Sequence, residues 1–269
     1  MKGALLRERV RLKNRMRLPP VRLVHHPAYD LESNDRIDGR RGSRILEYLV
    51  LHRWVDRADV ISPRPLSAKD LLRVHDAAYL ARLDEASELD RIFGGMVSPG
   101  EQADRVLAAQ RLMAAGTATA THTALRFPRL GGPVVNLGGG LHHARRAVGA
   151  GFCAFNDVAI AIDAARQHGF DGRVLVVDLD AHHGDGTRSM FADDDRVFTF
   201  SLNTRPWDES PAVASLDVEL GPSPGDETYL DALTEHLPEA VRRARPDLVF
   251  YLAGADVLEA ERGGVLELS

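Results

Sequence analysis

The stretch Val174–Thr187, VLVVDLDAHHGDGT, sets four apolar, mostly β-branched residues directly before three aspartates and two histidines. The continuous apolar run reads as a strand buried on both faces, as in a parallel sheet covered by helices. Unpaired carboxylates at the end of such a strand would cost several kcal/mol each, so they must have partners. In parallel α/β sheets, sites form at the carboxyl ends of strands, and these ionisable residues fall there.

Working outward, β-branched runs alternate with helical patterns. Val21–His26, Asp59–Ser62, Gly132–Leu137, Arg173–Asp180, Arg196–Leu202 and Asp247–Asp256 read as strand segments. Arg44–Val55, Asp104–Leu125, Asn156–Gly169 and Gly225–Ala244 read as helices, the third with Asn156 as N-cap and Gly169 just past its end. The alternation implies an α/β fold with a mainly parallel sheet and helices on both faces. The candidate site loops are those after Leu137, Val177, Phe200 and Leu252. Residues 1–19 read as a basic, flexible N-terminal extension, and 20–269 as one α/β domain.

Composition excludes several classes. The chain is 44% hydrophobic and 27% charged with a net charge of −5, so it lacks the global basic charge of a nucleic-acid binder. No apolar run has the length of a membrane span, and the N-terminus has no signal-peptide core. The single cysteine, Cys153, excludes an intramolecular disulfide and fits a reducing compartment, hence a cytoplasmic location. Lysine occurs only at Lys2, Lys13 and Lys69 against many arginines, read as the codon bias of a GC-rich bacterial genome.

Three strand ends carry chemistry. NLGGGLHHA (Asn136–Ala144) follows three glycines with the tandem His142 and His143, whose rings can face one pocket. In the opening stretch Asp178, Asp180 and His182 alternate, so an extended backbone sends all three to one face. A carboxylate and an imidazole suit Zn²⁺ or Fe²⁺. YLAGAD (Tyr251–Asp256) ends on Asp256, a third ligand. Two aspartates and one histidine leave coordination positions open, the arrangement of a catalytic site.

With LGGGLHHA, GFCAFNDVAIA, VLVVDLDAHHGDGT, VFTFSLN and FYLAGAD in this order, the chain resembles the histone deacetylase superfamily, most closely its class IV and bacterial deacetylase-like members. The resemblance implies an arginase/deacetylase fold. It also implies hydrolysis of an acetylated amine, as N-acetyl-lysine in a protein or peptide or as an acetylated polyamine, with no nucleic-acid or membrane partner. Asp180, His182 and Asp256 match the zinc ligands. His143 matches the general base and acid, and His142 its neighbour, which places water and stabilises charge. Asp178 and Asp185 match the carboxylates that orient the two histidines. Asp178, Asp180, His182, Ser201 and Leu202 match a structural K⁺ or Na⁺ site. Gly151 and Phe152 match one wall of a substrate tunnel, and Trp207 stands as the opposite wall. Cys153 is read as packing, not as a nucleophile, and His183 has no assigned role.

The family's oxyanion-donating tyrosine has no counterpart among Tyr29, Tyr48, Tyr79, Tyr229 and Tyr251. The sequence therefore reads as C-terminally truncated, with weak turnover and an exposed apolar sheet edge expected. Two rivals remain: an acyl-lysine-binding protein impaired in catalysis, and an arginase-type ureohydrolase with two Mn²⁺ ions. The second needs a further Asp two residues after the His of Asp-x-His, where this chain has Gly184.

Overall fold

The computed structural model describes residues 21–32, 38–128, 132–208, 210–259 and 268; the N-terminal extension expected over 1–19 lies outside them. Among the described residues, seven strands form two sheets in which every pairing is parallel. In the first, β1 (Arg22–Val24) lies between β2 (Val60–Ile61) and β3 (Val134–Asn136). The second has the order β6 (Ser215–Glu219), β5 (Val197–Asn203), β4 (Val174–Asp178), β7 (Leu248–Leu252). The expected single sheet is thus divided: β3 is three residues long and its ladder runs to β1.

The opening stretch supplies the central strand. All five residues of β4 are buried, and the four apolar ones alternate between two cores. Val174 and Val176 pack with Val158 and Ile162 of helix α6 (Asp157–Gln167). Leu175 and Val177 pack with Tyr229, Ala240 and Ala244 of helix α8 (Asp226–Ala244). Each such buried aliphatic side chain contributes about 1.5–3 kcal/mol. Between β4 and β5 lies α7 (Asp185–Met190).

The other face of α6 presents Ala159 and Ile160 to a third core. That core is built on α2 (Ala68–Val74), α3 (Ala77–Arg82), α4 (Ala86–Phe93) and α5 (Glu101–Arg126). Helix α5 is 26 residues long and also packs against β1 and β3, so α5 and α6 together join the two sheets. A further helix, α1, spans Arg41–Leu51.

Asn156 caps α6 by accepting from Ala159 N at 2.9 Å, and Gly169 has φ +89° just past its end, as the sequence implies. Strands β1 and β2 are shorter than their apolar runs, and the short helices α2, α3, α4 and α7 carry no periodic signal long enough to read. Strand β7 is an edge among the described residues, with Val249 and Tyr251 exposed.

In register, Asp178 stands opposite both Ser201 of β5 and Leu252 of β7. The carboxyl ends of three adjacent strands therefore lie in one row, and the chemistry-bearing loops leave from it.

Candidate active site

Strand β4 stops at Asp178, and the chain turns at once. Convergence of Asp180 and His182 therefore comes from a turn, not from strand alternation as the sequence suggests. Asp178 Oδ1 accepts from Asp180 N at 3.2 Å, and Asp180 Oδ1 accepts from His182 N at 2.9 Å. The aspartates thus fold the loop that carries them. Asp256, four residues beyond β7, reaches across and accepts from Ala181 N at 3.1 Å.

Three atoms meet as a result. His182 Nδ1 lies 3.1 Å from Asp180 Oδ1 and 2.8 Å from Asp256 Oδ2. Asp180, His182 and Asp256 each offer one ligand atom, and the three atoms lie within 4.8 Å of one another. A tetrahedral cation with bonds of about 2.0–2.1 Å separates its ligand atoms by roughly 3.3 Å. The donor set fits such an ion with only a small outward adjustment. The two carboxylates push His182 up to about 10. Burial works to raise Asp180, but the His182 hydrogen bond and the charge of His142 hold its carboxyl below the usual range. Anionic oxygens thus surround the His182 ring nitrogen, a setting that suits a divalent cation.

The tandem histidines enter from the loop after β3. His142 Nδ1 bonds Asp178 Oδ2 at 2.7 Å, and His143 Nδ1 bonds Asp185 Oδ1 at 2.6 Å. Their rings are 4.0 Å apart, and His142 Nε2 lies 3.8 Å from Asp180 Oδ1. The environments set the two apart. Burial opposes charge on His142, but Asp178 overcomes it and raises the group to about 9. Burial lowers His143, the charge of His142 adds to that, and Asp185 compensates only in part. The surroundings thus favour charge on His142 and disfavour it on His143, each tied to its own carboxylate. Opposite shifts of neighbouring groups of this kind divide acid and base roles.

Several supporting contacts are made that local sequence patterns do not announce. Asp157, buried in the first turn of α6, accepts from Gly140 N, Leu141 N and Thr117 Oγ1 at 3.0, 2.7 and 2.6 Å, and so pins the Gly-rich loop. Asn156 Nδ2 donates to Ala144 O and Thr187 Oγ1, both at 3.0 Å. His75 bonds Arg145 O through Nδ1 and accepts from Asn156 N at Nε2. Arg145 donates to Asp185 Oδ2 at 2.8 Å and pairs with Asp208 at 3.0 Å.

Gly184 is the N-cap of helix α7. A Cβ there would lie 2.4 Å from Asp178 Oδ2. Gly151 has φ +53°, and a Cβ on it would lie 2.2 Å from His143 Cδ2, so it backs directly on the imidazole. Phe152 is exposed, while its backbone is held by Ile92 O and by Gln110 Nε2. Trp207 stacks on His143 with ring centroids 4.5 Å apart and an 11° angle between planes.

Cys153 is buried, which pushes its thiol up, consistent with packing. Ser201 and Leu202 are buried on β5 beside Asp178, and Ser201 Oγ accepts from Asn203 Nδ2 at 3.1 Å. Tyr29 and Tyr79 donate their hydroxyls to Asn136 and to Ala154 O. No helix among the described residues is long and apolar enough to cross a membrane.

This geometry has counterparts in known proteins. A family model described as the histone deacetylase domain matches residues 36–269. The chain is 30% identical to Histone deacetylase 2 of Arabidopsis thaliana, over 99% of this chain and 72% of that one. It is 31% identical to acetoin utilization protein AcuC of Bacillus subtilis, over 75% of this chain and 56% of that one. The solved structure of an HDAC homolog complexed with SAHA superposes with a TM-score of 0.76 at 27% identity, covering 93% of this chain and 72% of that one.

Proposed function

The chain belongs to the histone deacetylase family, and from that premise we propose that it hydrolyses an acetylated amine with one zinc ion held by Asp180, His182 and Asp256. The substrate class is N-acetyl-lysine in a protein or peptide, or an acetylated polyamine with the same methylene stem. One observation carries the reading: three metal-type ligand atoms converge beside two histidines, each bonded through Nδ1 to its own carboxylate.

A zinc ion at that position supplies Lewis acidity toward the acetyl carbonyl and acidifies water. His143, neutral, has Nδ1 committed to Asp185, so Nε2 is the atom that takes a proton from water as its oxygen attacks the carbonyl carbon. The same Nε2 delivers that proton to the amine nitrogen as the C–N bond breaks. Acetate and free amine leave, and the elements of one water molecule are consumed. His142, whose charged form the Asp178 hydrogen bond favours, lies beside the ligand cluster and would stabilise negative charge developing on the carbonyl oxygen. Gly151 and Phe152 on one side and Trp207 on the other wall the approach of the methylene stem. Asp178, Ser201 and the backbone near Asp180, His182 and Leu202 hold a monovalent cation that steadies the strand ends.

A binuclear ureohydrolase is disfavoured at Gly184, where a carboxylate side chain would collide with Asp178. The test is acetate release from an acetyl-lysine peptide, measured with metal content on the same sample. One zinc per chain is expected. His143→Ala should lose roughly 10²–10⁴ in rate while retaining the metal. Two manganese ions per chain, or a fully loaded protein that binds the peptide without releasing acetate, would overturn the reading.

A further inference from the structure

His183 is fully buried next to the metal-ligand candidate His182, yet it faces away from that cluster. Its Nδ1 accepts the backbone N–H of Trp207 at 3.0 Å, so its ring proton is on Nε2. That proton is donated to Asp217 Oδ1 at 3.2 Å. Asp217 is itself held, because its Oδ2 accepts from Arg188 Nε at 2.8 Å and from Ser215 Oγ at 2.7 Å. A rigid chain therefore runs from strand β6 through His183 to the main chain at Trp207. A second link lies one residue on. Asp208 pairs with Arg145, whose guanidinium also holds Asp185, the partner of His143.

These links matter because of what the Trp207 indole touches. The hydrogen bond from His143 Nδ1 to Asp185 and the backbone of Gly151 against Cδ2 restrain the imidazole but leave it room to pivot away from Gly151. The nearly parallel indole at 4.5 Å removes the pivot. We propose that His183, braced by Asp217, is a positioning residue: it sets the backbone of Trp207 so that the indole fixes the plane of His143. The functional part of this inference rests on His143 being the base of the proposed reaction. The positional part does not.

The test separates the two. In a Trp54→Phe background Trp207 is the sole tryptophan, and its fluorescence reads its own surroundings. His183→Asn places an amide oxygen where Nδ1 now accepts, whereas His183→Gln places its amide near Nε2 and leaves the Trp207 N–H unpaired. Acrylamide quenching of Trp207 should rise roughly twofold or more in the Gln variant, as the segment opens locally, and stay near the parent value in the Asn variant. In turnover of an acetyl-lysine peptide, the Gln variant should lose roughly 10–100-fold in kcat with little change in KM, and the Asn variant should recover most of it. Equal quenching in both variants, raised or unraised, would overturn the proposal. The expected quenching pattern without any acetyl-lysine turnover in the parent would uphold the positioning and instead defeat the reading of the reaction.

Discussion

Substituting Gly151 by alanine tests whether the imidazole of His143 is placed by close contact with the backbone behind it. The cost has two parts. At φ +53° an alanine carries the left-handed penalty of an L-residue, about 1–2 kcal/mol. The added Cβ would also sit 2.2 Å from His143 Cδ2 and 2.8 Å from Cγ. Carbon atoms settle at about 3.5–4.0 Å, so the ring must retreat by more than about 1 Å. That movement breaks the 2.6 Å bond to Asp185, a hydrogen bond to a charged group worth about 1.5–3 kcal/mol. Gly169→Ala is the matched control, because Gly169 has φ +89° and open space around its would-be Cβ. Urea unfolding should then show about 1–2 kcal/mol lost at Gly169 and about 2.5–5 kcal/mol at Gly151. Turnover of an acetyl-lysine peptide should fall about 100-fold in the Gly151 variant only, as expected when a catalytic group shifts by about 1 Å. Equal stability losses in the two variants, with turnover at Gly151→Ala unchanged, would refute the reasoning.

Further outcomes follow from the same geometry. Asp256→Asn removes one of three converging ligands, and competition with a chromophoric chelator should show zinc affinity falling by at least about 10-fold. Asp157→Asn leaves a buried position with two acceptor-loving amides and a hydroxyl facing a weaker partner. Chemical denaturation should register a loss of about 2–4 kcal/mol; a loss below 0.5 kcal/mol, within the noise of surface substitutions at about that size, would remove its role as the loop's anchor. His75 gives a pH dependence. Burial lowers it to about 4 from the 6.5 of an exposed imidazole, and it stays neutral between Arg145 O and Asn156 N. The unfolded chain therefore binds its proton first, so this contribution to stability is intact above pH 6.5 and is lost as pH falls toward 4. The total is about 3 kcal/mol, and His75→Gln should flatten the decline in unfolding free energy across that window.

Much of this site is legible in the sequence because it sits where a local pattern ends. The apolar run of β4 announces a buried strand, and Asp178, Asp180 and His182 follow at once, where parallel sheets place sites. Asn156 is readable as a cap because caps are local. The supporting residues are not legible. Asp217 occupies β6, whose alternating Ser-Leu-Asp-Val-Glu looks like an ordinary half-exposed strand, yet its carboxylate meets His183 from 34 residues upstream. Arg145 reads as one surface arginine among many, and only the folded chain sets it between Asp185 and Asp208. Strand alternation also misdescribes the end of β4, because hydrogen bonds from nearby backbone amides to the aspartate side chains turn the backbone before alternation can act. Periodicity reports which face of an element is buried. It says nothing of which distant group satisfies a polar side chain on that face.

Asn156 ties four separately encoded segments: its own helix, the Ala144 carbonyl of the histidine loop, Thr187 of α7 and His75 at the end of α2. None of these bonds can open alone without stranding a buried partner. The amide hydrogens of Asn156 and Ala159 should therefore exchange with solvent only when the whole domain unfolds, placing the histidine loop in the slowest cooperative block of the protein. A site built into that block cannot adapt by breathing. Changes of substrate preference in such a scaffold must arise at its rim, around Phe152 and Trp207, where residues can be exchanged without melting the centre.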